Sequence, residues 1–226
     1  MKNESMEVSK TSLRRKICGM RDRDNILSIS SLQPDYMGFI FYRNSIRFVG
    51  DQFEIPEELS KKIERVGVFV NQSTQEIMKL SRLHQLDMIQ LHGIESPAQC
   101  KELRLEGVLV MKALAVEERK DVEHAASYGQ YVDYILFDSK GKGFGGNGVP
   151  FDWTLLNFFD RSVPFFLGGG ISSGNVQNLL PLDKTRLYAI DLNSGIEREP
   201  GVKDYQKTRE IFGIVDSQNQ IMEYEI

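Results

Sequence analysis

The chain has 226 residues, of which 41% are hydrophobic and 27% are charged, and its net charge is −4. This composition is typical of a globular protein that buries one sizeable core, and it excludes a disordered or fibrous chain. The acidic charge argues against a nucleic-acid partner, and two cysteines, Cys18 and Cys100, form neither a disulfide framework nor a zinc-binding spacing.

Eight short apolar segments along the chain have the character of strands. They begin at Lys16, Asp35, Val66, Leu86, Val108, Val132, Pro164 and Leu187. Because these segments are continuously apolar and rich in β-branched and aromatic residues, they are typical of parallel strands buried on both faces.

A segment with a helical pattern follows each predicted strand. These segments are 22–32, 56–66, 74–84, 96–106, 117–126, 151–159, 172–182 and 202–212. Eight β/α units in roughly 200 residues predict an α/β fold, the single-domain (β/α)8 barrel. A doubly wound sheet would require a GxGxxG pattern after the first strand, and KICGM lacks it.

The predicted barrel occupies residues 15–213, between a polar N-terminal extension, 1–14, and a C-terminal tail, 214–226. The N-terminal segment lacks the apolar stretch of a signal peptide, and no run approaches the ~18 apolar residues that cross a membrane. We therefore expect a cytoplasmic protein without a membrane partner.

In such a barrel the catalytic and ligand-binding residues lie at the C-terminal face, where the strands end. The polar, charged or small residues predicted there are Cys18, Gly19, Arg43, Arg47, Gln90, His92, Asp138, Gly169, Gly170, Asp191, Asn193, Ser194 and Gly195.

Three glycine-bearing loops, after the sixth, seventh and eighth strands, are predicted to converge on one side of this face. They contain Gly145 and Gly146, Gly169 and Gly170, and Gly195. Glycine lets the backbone approach a ligand closely, and N–H groups at a helix start bind oxyanions. A phosphate site is therefore predicted, although in any single loop the glycines could serve only a tight turn.

Two strand-end residues are candidates for acid–base chemistry. Asp138 closes an apolar strand, where burial without a cation would raise its pKa towards that of a general acid; capping of the glycine loop is an equally open alternative. Cys18 lies before Gly19 and a helix start, which favours an exposed position and a thiolate, although many free cysteines only pack in a core. Cys100 falls inside a helical segment and is expected to pack.

Three further side chains are candidate substrate ligands. Gln90 and His92 lie two residues apart on one strand and share a face, but catalysis by His92 is not favoured, because the sequence supplies no orienting partner. The planar guanidinium of Arg47 suits bidentate binding of a carboxylate, and Arg43 is a rival for that role.

Taken together, these motifs resemble the phosphoribosylanthranilate isomerase family. They are KICGM, GFIFYRNSIRFV, VGVFVN, IQLHG, LFDS with GFGGNG, LGGGI, and DLNSGIE with PGVKD, in order from about Lys16 to Phe212. The resemblance implies an Amadori rearrangement of N-(5-phosphoribosyl)anthranilate to 1-(2-carboxyphenylamino)-1-deoxyribulose 5-phosphate. It also implies a place in tryptophan biosynthesis and a reaction without a metal or an organic cofactor.

The resemblance further implies residue roles. Cys18 corresponds to the general base and Asp138 to the general acid, while Arg47 corresponds to the arginine that faces the anthranilate carboxylate. The partner is a small phosphosugar, and the protein is a monomer or a homodimer. The implied substrate-binding residues are Arg47, Gln90, His92, Gly145, Gly146, Gly169, Gly170, Asp191, Asn193, Ser194 and Gly195.

The chain departs from the family pattern at a few positions. Ser139 stands where threonine is more common, and Asn147 and Asn193 stand where serine or threonine is more common. The segment YRNSIRF lacks the usual proline before the arginine, which leaves Arg43 as an alternative to Arg47.

Other interpretations stay open at this point. A histidine-pathway isomerase of the same fold is expected to use paired aspartates, whereas Cys18 occupies the first strand end. Indole-glycerol-phosphate synthase is suggested by Lys112 but not by any glutamate constellation. A non-catalytic phosphosugar-binding barrel is a third alternative, and the presence of both Cys18 and Asp138 argues against it.

Overall fold

Eight parallel strands close into a barrel in the computed structural model of the protein, which describes residues 12–141, 150–160, 163–179 and 187–224. The strands are β1 (Arg14–Ile17), β2 (Tyr36–Ile40), β3 (Glu64–Phe69), β4 (Met88–Leu91), β5 (Leu109–Val116), β6 (Tyr134–Ser139), β7 (Phe165–Leu167) and β8 (Leu187–Leu192). Each strand pairs with the next, and β8 pairs with β1. The predicted (β/α)8 barrel is confirmed.

Helices of two kinds connect the strands. The α-helices are α1 (Arg23–Ser30), α2 (Thr74–His84), α3 (Pro97–Leu105), α4 (Arg119–Glu123) and α5 (Tyr205–Tyr224), and 3₁₀ helices cover His124–Ser127, Trp153–Phe158, Val176–Leu179 and Ser194–Ile196. Between β8 and α5, a short antiparallel pair forms from β9 (Glu197–Glu199) and β10 (Val202–Lys203). Within the described part of the chain, no helix combines the length and the apolar character needed to cross a membrane.

Side-chain caps fix the starts of the first three α-helices. Asp22 accepts a hydrogen bond from Asn25 N at 2.8 Å, Ser73 forms a capping box with Glu76, and Ser96 accepts from Gln99 N. Each cap satisfies a backbone N–H that has no partner within its helix, which contributes about 1 kcal/mol. The helices therefore begin where the local sequence dictates.

The helix predicted at residues 56–66 does not form. The segment instead makes isolated turns, in which Leu59 N donates to Pro56 O and Ile63 N donates to Ser60 O. Strand β3 begins at Glu64, in register with Tyr36 of β2. Pairing with β2 claims residues 64–66, so the helical pattern cannot continue to the end of the segment. In the predicted helical segments 151–159 and 172–182, Trp153–Phe158 and Val176–Leu179 form 3₁₀ helices in place of α-helices, and residues 180–182 lie outside the described residues.

The core has two layers that follow the alternation of side chains along the strands. The larger layer packs the outer face of the barrel against the helices and includes Ile17, Phe39, Phe69 and Phe137. The inner layer fills the barrel with Tyr36, Val66, Met88, Met111, Ala113, Leu136, Phe166 and Ala189. The barrel is therefore a packed core, and a ligand has room only at its open end.

Helix α5 closes the structure beside β1. Its residues Ile211, Phe212 and Val215 are buried, and Asn219 exchanges hydrogen bonds with the backbone of Leu13. The helix therefore continues beyond residue 213, through most of the segment that the sequence analysis described as a tail.

Candidate active site

A pocket of about 630 Å³, including its open mouth, lies at the C-terminal end of the barrel. Its polar lining consists of Cys18, Tyr42, Ser45, Gln90, His92, Asp138, Gly169, Gly170, Asp191, Asn193, Ser194 and Gly195, and its apolar lining of Ile40, Val68, Val70 and Ile171. The structure thus brings together all of the predicted site residues that it describes, with the exception of Arg47. Gly145 and Gly146 lie outside the described residues.

Cys18 lies directly after β1 and is only 4% exposed, although the sequence suggested an exposed position. Its N–H donates to Leu192 O at 2.8 Å, which fixes it against the end of β8. Burial raises the pKa of the Cys18 thiol, while the positive charges of Lys16 and Lys203 act in the opposite direction. Nearby lysines, and not the helix start that the sequence suggested, are the groups that favour a thiolate here.

Lys16 and Asp191 form a buried ion pair beneath Cys18. The two residues are partners in the register of β1 and β8, and Lys16 Nζ lies 2.8 Å from Asp191 Oδ1. Lys16 is also positioned to hydrogen-bond the Cys18 sulfur, because residues two apart on a strand share a face. Burial raises the pKa of Asp191, and Lys16 opposes that shift.

Asp138 is the last but one residue of β6, and its carboxylate lies between the Ser139 backbone and His92. Oδ1 accepts a hydrogen bond from Ser139 N at 2.8 Å, and Oδ2 lies 3.4 Å from His92 Nε2. Gln90 Nε2 donates to His92 Nδ1 at 2.8 Å, so the neutral ring carries its proton on Nε2, which faces Asp138. The orienting partners of His92 that the sequence did not reveal are therefore Gln90 and Asp138.

The glycine loops after β7 and β8 pack against each other and against the end of β6. A Cβ on Gly169 would lie 2.4 Å from Ser139 N, and one on Gly195 would lie 2.1 Å from Ile171 O. Gly169 and Gly170 also have positive φ angles, +79° and +71°. These positions require glycine for backbone packing, and the same packing brings both loops to one side of the pocket.

The two candidate arginines occupy different places. Arg43 is exposed, and its Nη1 donates to Asp51 Oδ2 at 2.9 Å, away from the pocket. Arg47 is largely buried and binds Glu197 in a bidentate manner, with Nε to Oε1 at 2.8 Å and Nη2 to Oε2 at 2.6 Å. The predicted carboxylate clamp therefore holds a carboxylate of the chain itself, next to the pocket.

Two functional candidates, Glu197 and Lys203, were not found from the sequence. Lys203 Nζ is fully buried and donates to Glu197 Oε1 and to Asn193 Oδ1, each at 2.7 Å. Burial alone would raise the pKa of Glu197, but hydrogen bonds from Arg47 and Lys203 lower it to about 2. Burial lowers the pKa of Lys203 to about 8, against the opposing effect of Glu197. The segment GIEREPGVKD could have indicated both residues, because its charged side chains follow closely after the predicted eighth strand.

An acid, a thiol and two glycine loops at the mouth of one (β/α)8 barrel define an enzyme of the phosphosugar-barrel class. In the described part of the chain, no group of three or more His, Cys, Asp or Glu residues is placed to hold a metal ion.

Comparison with known proteins specifies this class further. The family model for N-(5'-phosphoribosyl)anthranilate isomerase matches residues 15–213. The N-(5'-phosphoribosyl)anthranilate isomerase of Parabacteroides distasonis is 41% identical over 199 residues, which cover 86% of this chain and 89% of that relative. The chain therefore belongs to the N-(5'-phosphoribosyl)anthranilate isomerase family.

Solved structures agree with this assignment. The crystal structure of phosphoribosyl anthranilate isomerase from Thermotoga maritima has a TM-score of 0.78 and 33% identity, covering 91% of this chain and 99% of that one. A structure of the isomerase in complex with reduced 1-(o-carboxyphenylamino)-1-deoxyribulose 5-phosphate has a TM-score of 0.75 and 31% identity, with the same coverage. The predicted family, and with it an isomerase of tryptophan biosynthesis, is confirmed.

Glu197→Gln is expected to make the free energy of unfolding less dependent on pH in the acid range. The pKa of Glu197 is about 2, below its ordinary value of 4.5, so its carboxylate contributes stability that is complete above pH 4.5 and is lost as the pH falls towards 2. At ~1.4 kcal/mol per pH unit, this contribution amounts to about 3 kcal/mol. Urea unfolding at a series of pH values between 6 and 3 measures about 2 kcal/mol of it, the part lost above pH 3.

Glu106→Gln is the matched control, because Glu106 pairs with Arg82 on the surface, where an ion pair contributes about 0–1 kcal/mol. Glu106→Gln should leave the slope of the free energy of unfolding against pH unchanged in the acid range. Equal slopes in the wild type and in Glu197→Gln would show that Glu197 is not a strongly stabilised buried carboxylate.

Proposed function

We propose that the protein catalyses the Amadori rearrangement of N-(5-phosphoribosyl)anthranilate, with Asp138 as the general acid and Cys18 as the general base. The observation that carries this proposal is that the two groups line the same pocket, which also has glycine loops on one side and an apolar wall on another. The substrate is accordingly a small phosphosugar with an aromatic carboxylate. The cytoplasmic location expected from the sequence stays a prediction.

The first step opens the sugar ring. Asp138 donates a proton to the ring oxygen, the bond between C1′ and this oxygen breaks, and the substrate nitrogen forms an iminium with C1′. The Asp138 carboxylate that results is stabilised by the hydrogen bond from Ser139 N, and His92 Nε2 lies 3.4 Å from its other oxygen. We infer that Gln90 and His92 position the acid and stabilise its conjugate base.

The second step forms the product skeleton. The Cys18 thiolate removes the proton from C2′, and the electron pair neutralises the iminium to give an enolamine. Transfer of the enol proton to C1′ then yields the ketone. A proton passes from the Cys18 thiol to the Asp138 carboxylate through solvent, which restores both groups for the next turnover.

The phosphate is proposed to bind on the side of the loops after β7 and β8, at Gly169, Gly170, Ser194 and Gly195. Their lining of the pocket supports this role, because backbone N–H groups at glycine positions can approach an oxyanion closely. Ser139 supports it further: its hydroxyl is buried without a partner among the described residues. Gly145 and Gly146 are proposed to join this site.

The other end of the substrate is proposed to meet Arg47 and the apolar wall. Arg47 holds Glu197 through Nε and Nη2, which leaves Nη1 outside that bidentate contact and able to reach a substrate carboxylate. Ile40 and Val68 supply an apolar surface for the aromatic ring. Gln90 Oε1 is buried without a partner among the described residues, so it can accept a hydrogen bond from a substrate hydroxyl.

A homodimer is the oligomeric state that we favour over a monomer. The isomerase of Thermotoga maritima is described as dimeric, and its structure covers 91% of this chain at 32% identity. Sedimentation of the purified protein at several concentrations distinguishes the two states.

Purified protein should consume freshly generated N-(5-phosphoribosyl)anthranilate, followed as loss of its fluorescence, at the same rate with and without a metal chelator. The proposed chemistry moves only protons between the substrate and two side chains, so it needs no added metal. Absence of turnover in both conditions would favour a phosphosugar-binding protein over an enzyme.

Cys18→Ser and Asp138→Asn should each lower kcat by at least ~10²-fold, the contribution of a positioned acid or base. KM should stay within a few-fold, because neither substitution removes a proposed binding contact. Cys18→Ser replaces a thiol of ordinary pKa ~8.5 by a hydroxyl that hardly ionises near neutrality. Steady-state kinetics and the pH profile of kcat measure both effects.

Cys100→Ala is the matched control for the cysteine. Cys100 lies in α3, outside the pocket lining, and should leave kcat unchanged. Near-wild-type kcat in Cys18→Ser would remove Cys18 from the role of base and leave His92 as the next candidate.

Arg47→Ala should mainly raise KM, since a carboxylate contact exists in the bound substrate and in the transition state alike. Arg43→Ala is the control, and it should change KM much less because Arg43 is exposed and faces Asp51. The opposite ranking would assign carboxylate binding to Arg43.

A further inference from the structure

One carboxylate, Glu197, is shared by two largely buried cations next to Cys18. Arg47 and Lys203 both donate to it, and Gly201 N adds a further hydrogen bond to Oε1 at 3.0 Å. We call Arg47, Glu197 and Lys203 the Glu197 triad. Glu197 thus accepts four hydrogen bonds within the chain, three at Oε1 and one at Oε2, and the triad as a whole carries one net positive charge.

A charge count around Cys18 shows that this positive charge is a surplus. Lys16 is matched by Asp191, which it contacts at 2.8 Å, whereas two cations share Glu197. Three cations, Lys16, Arg47 and Lys203, therefore face two carboxylates.

The next titratable groups lie beyond Asp191, where Asp138 on β6 and His92, directly after β4, face it. In the form that acts as an acid, Asp138 is protonated and adds no charge. The surplus therefore persists in the form of the enzyme that begins the reaction.

The surplus charge lies directly behind Gly19, the residue that follows Cys18. A Cβ on Gly19 would lie 2.8 Å from Arg47 Cδ, 2.9 Å from Asn193 Oδ1 and 3.5 Å from Lys203 Nζ. Gly19 also has a φ angle of +76°. Glycine is therefore required here, and it allows the buried ammonium to approach the backbone next to the thiol.

A buried positive charge without a full counter-charge is unfavourable, and an adjacent anion relieves that cost. Of the two cations of the triad, Arg47 is proposed to meet the substrate carboxylate. Lys203 has its hydrogen bonds within the chain, to Asn193 and Glu197. Since the pKa of Lys203 is about 8, its ammonium is present near neutral pH, where it is available to the thiol whether or not the substrate is bound.

We propose that Lys203 is a positioning residue for proton transfer, whose ammonium, held by Glu197 and Asn193 behind Gly19, favours the thiolate of Cys18. Lys203 does not exchange a proton with the substrate; it stabilises the anion that does. This inference rests on the proposed role of Cys18 as the base.

The test compares Lys203→Met with the wild type by the rate of alkylation with iodoacetamide between pH 6 and 10, with the label at Cys18 located by peptide mass spectrometry. The thiolate midpoint of Cys18 is the pH at which half of this thiol is ionised. Lys203→Met should move this midpoint upward by at least one pH unit, so that alkylation near pH 7.5 slows about tenfold. The acid limb of the kcat profile should move by the same amount. Lys203→Arg retains the charge and should restore most of the wild-type midpoint.

Lys207→Met is the matched control, because Lys207 is an exposed lysine on α5 whose ammonium donates to the backbone oxygen of Glu197 at 3.2 Å and not to the Glu197 carboxylate. It should leave the Cys18 midpoint unchanged. If Lys203→Met does not fold, Asn193→Ala removes one acceptor of Lys203 and should give a smaller upward shift.

An unchanged Cys18 midpoint in Lys203→Met, or in Asn193→Ala where only that variant folds, would overturn the inference. Failure of the proposed function is a separate outcome, because it appears as retained kcat in Cys18→Ser. The alkylation midpoint would still report whether Lys203 acts on the thiol.

Discussion

The arrangement of the site depends on two buried carboxylates, Asp191 and Glu197, which determine how much positive charge the mouth of the barrel can hold. Without them, Lys16, Lys203 and Arg47 would be cations with little access to water, which proteins tolerate only when the charges are paired. With them, the three cations around Cys18 exceed the two carboxylates that pair them by one charge, in a chain whose net charge is −4. A phosphorylated, carboxylated substrate can therefore be attracted by local charge although the protein as a whole is acidic.

The register of the strands places these charged groups next to Cys18. Lys16 and Asp191 are register partners in β1 and β8, and Cys18, two residues after Lys16, faces the same interior. The closed barrel brings β4 and β6 to the same mouth, so His92 and Asp138 approach to 3.4 Å. The acid and the thiol are thus fixed by hydrogen-bonded strands, and the glycine loops complete the pocket from the side of β7 and β8.

Much of this could be predicted from the sequence, because strands and strand ends are encoded locally. Continuous apolar runs located all eight strands, and the residues after them identified Cys18, Asp138 and the glycine loops. The Glu197 triad could not be predicted, since Arg47 and Glu197 are 150 positions apart and meet only once the barrel has closed. Likewise, nothing near His92 in sequence indicates that Asp138 will face it.

The local errors have a common physical cause. The segment 56–66 has helical composition, but pairing of β3 with β2 from Glu64 onwards removes its last residues from any helix. Cys18 was expected to be exposed because it follows a strand, yet its backbone is hydrogen-bonded to the end of β8 and its side chain lies against Gly38 of β2. In both cases a contact distant in sequence overrides a local preference.

A crystal structure with reduced 1-(o-carboxyphenylamino)-1-deoxyribulose 5-phosphate would locate the reacting carbons relative to Cys18 and Asp138. We expect the phosphate at the loops after β7 and β8, the carboxylate within hydrogen-bond distance of Arg47, and the sugar carbons between Cys18 Sγ and the Asp138 carboxylate. A complex in which either Cys18 or Asp138 has no contact with the C1′–C2′ region, or in which the two ends are reversed, would contradict this expectation.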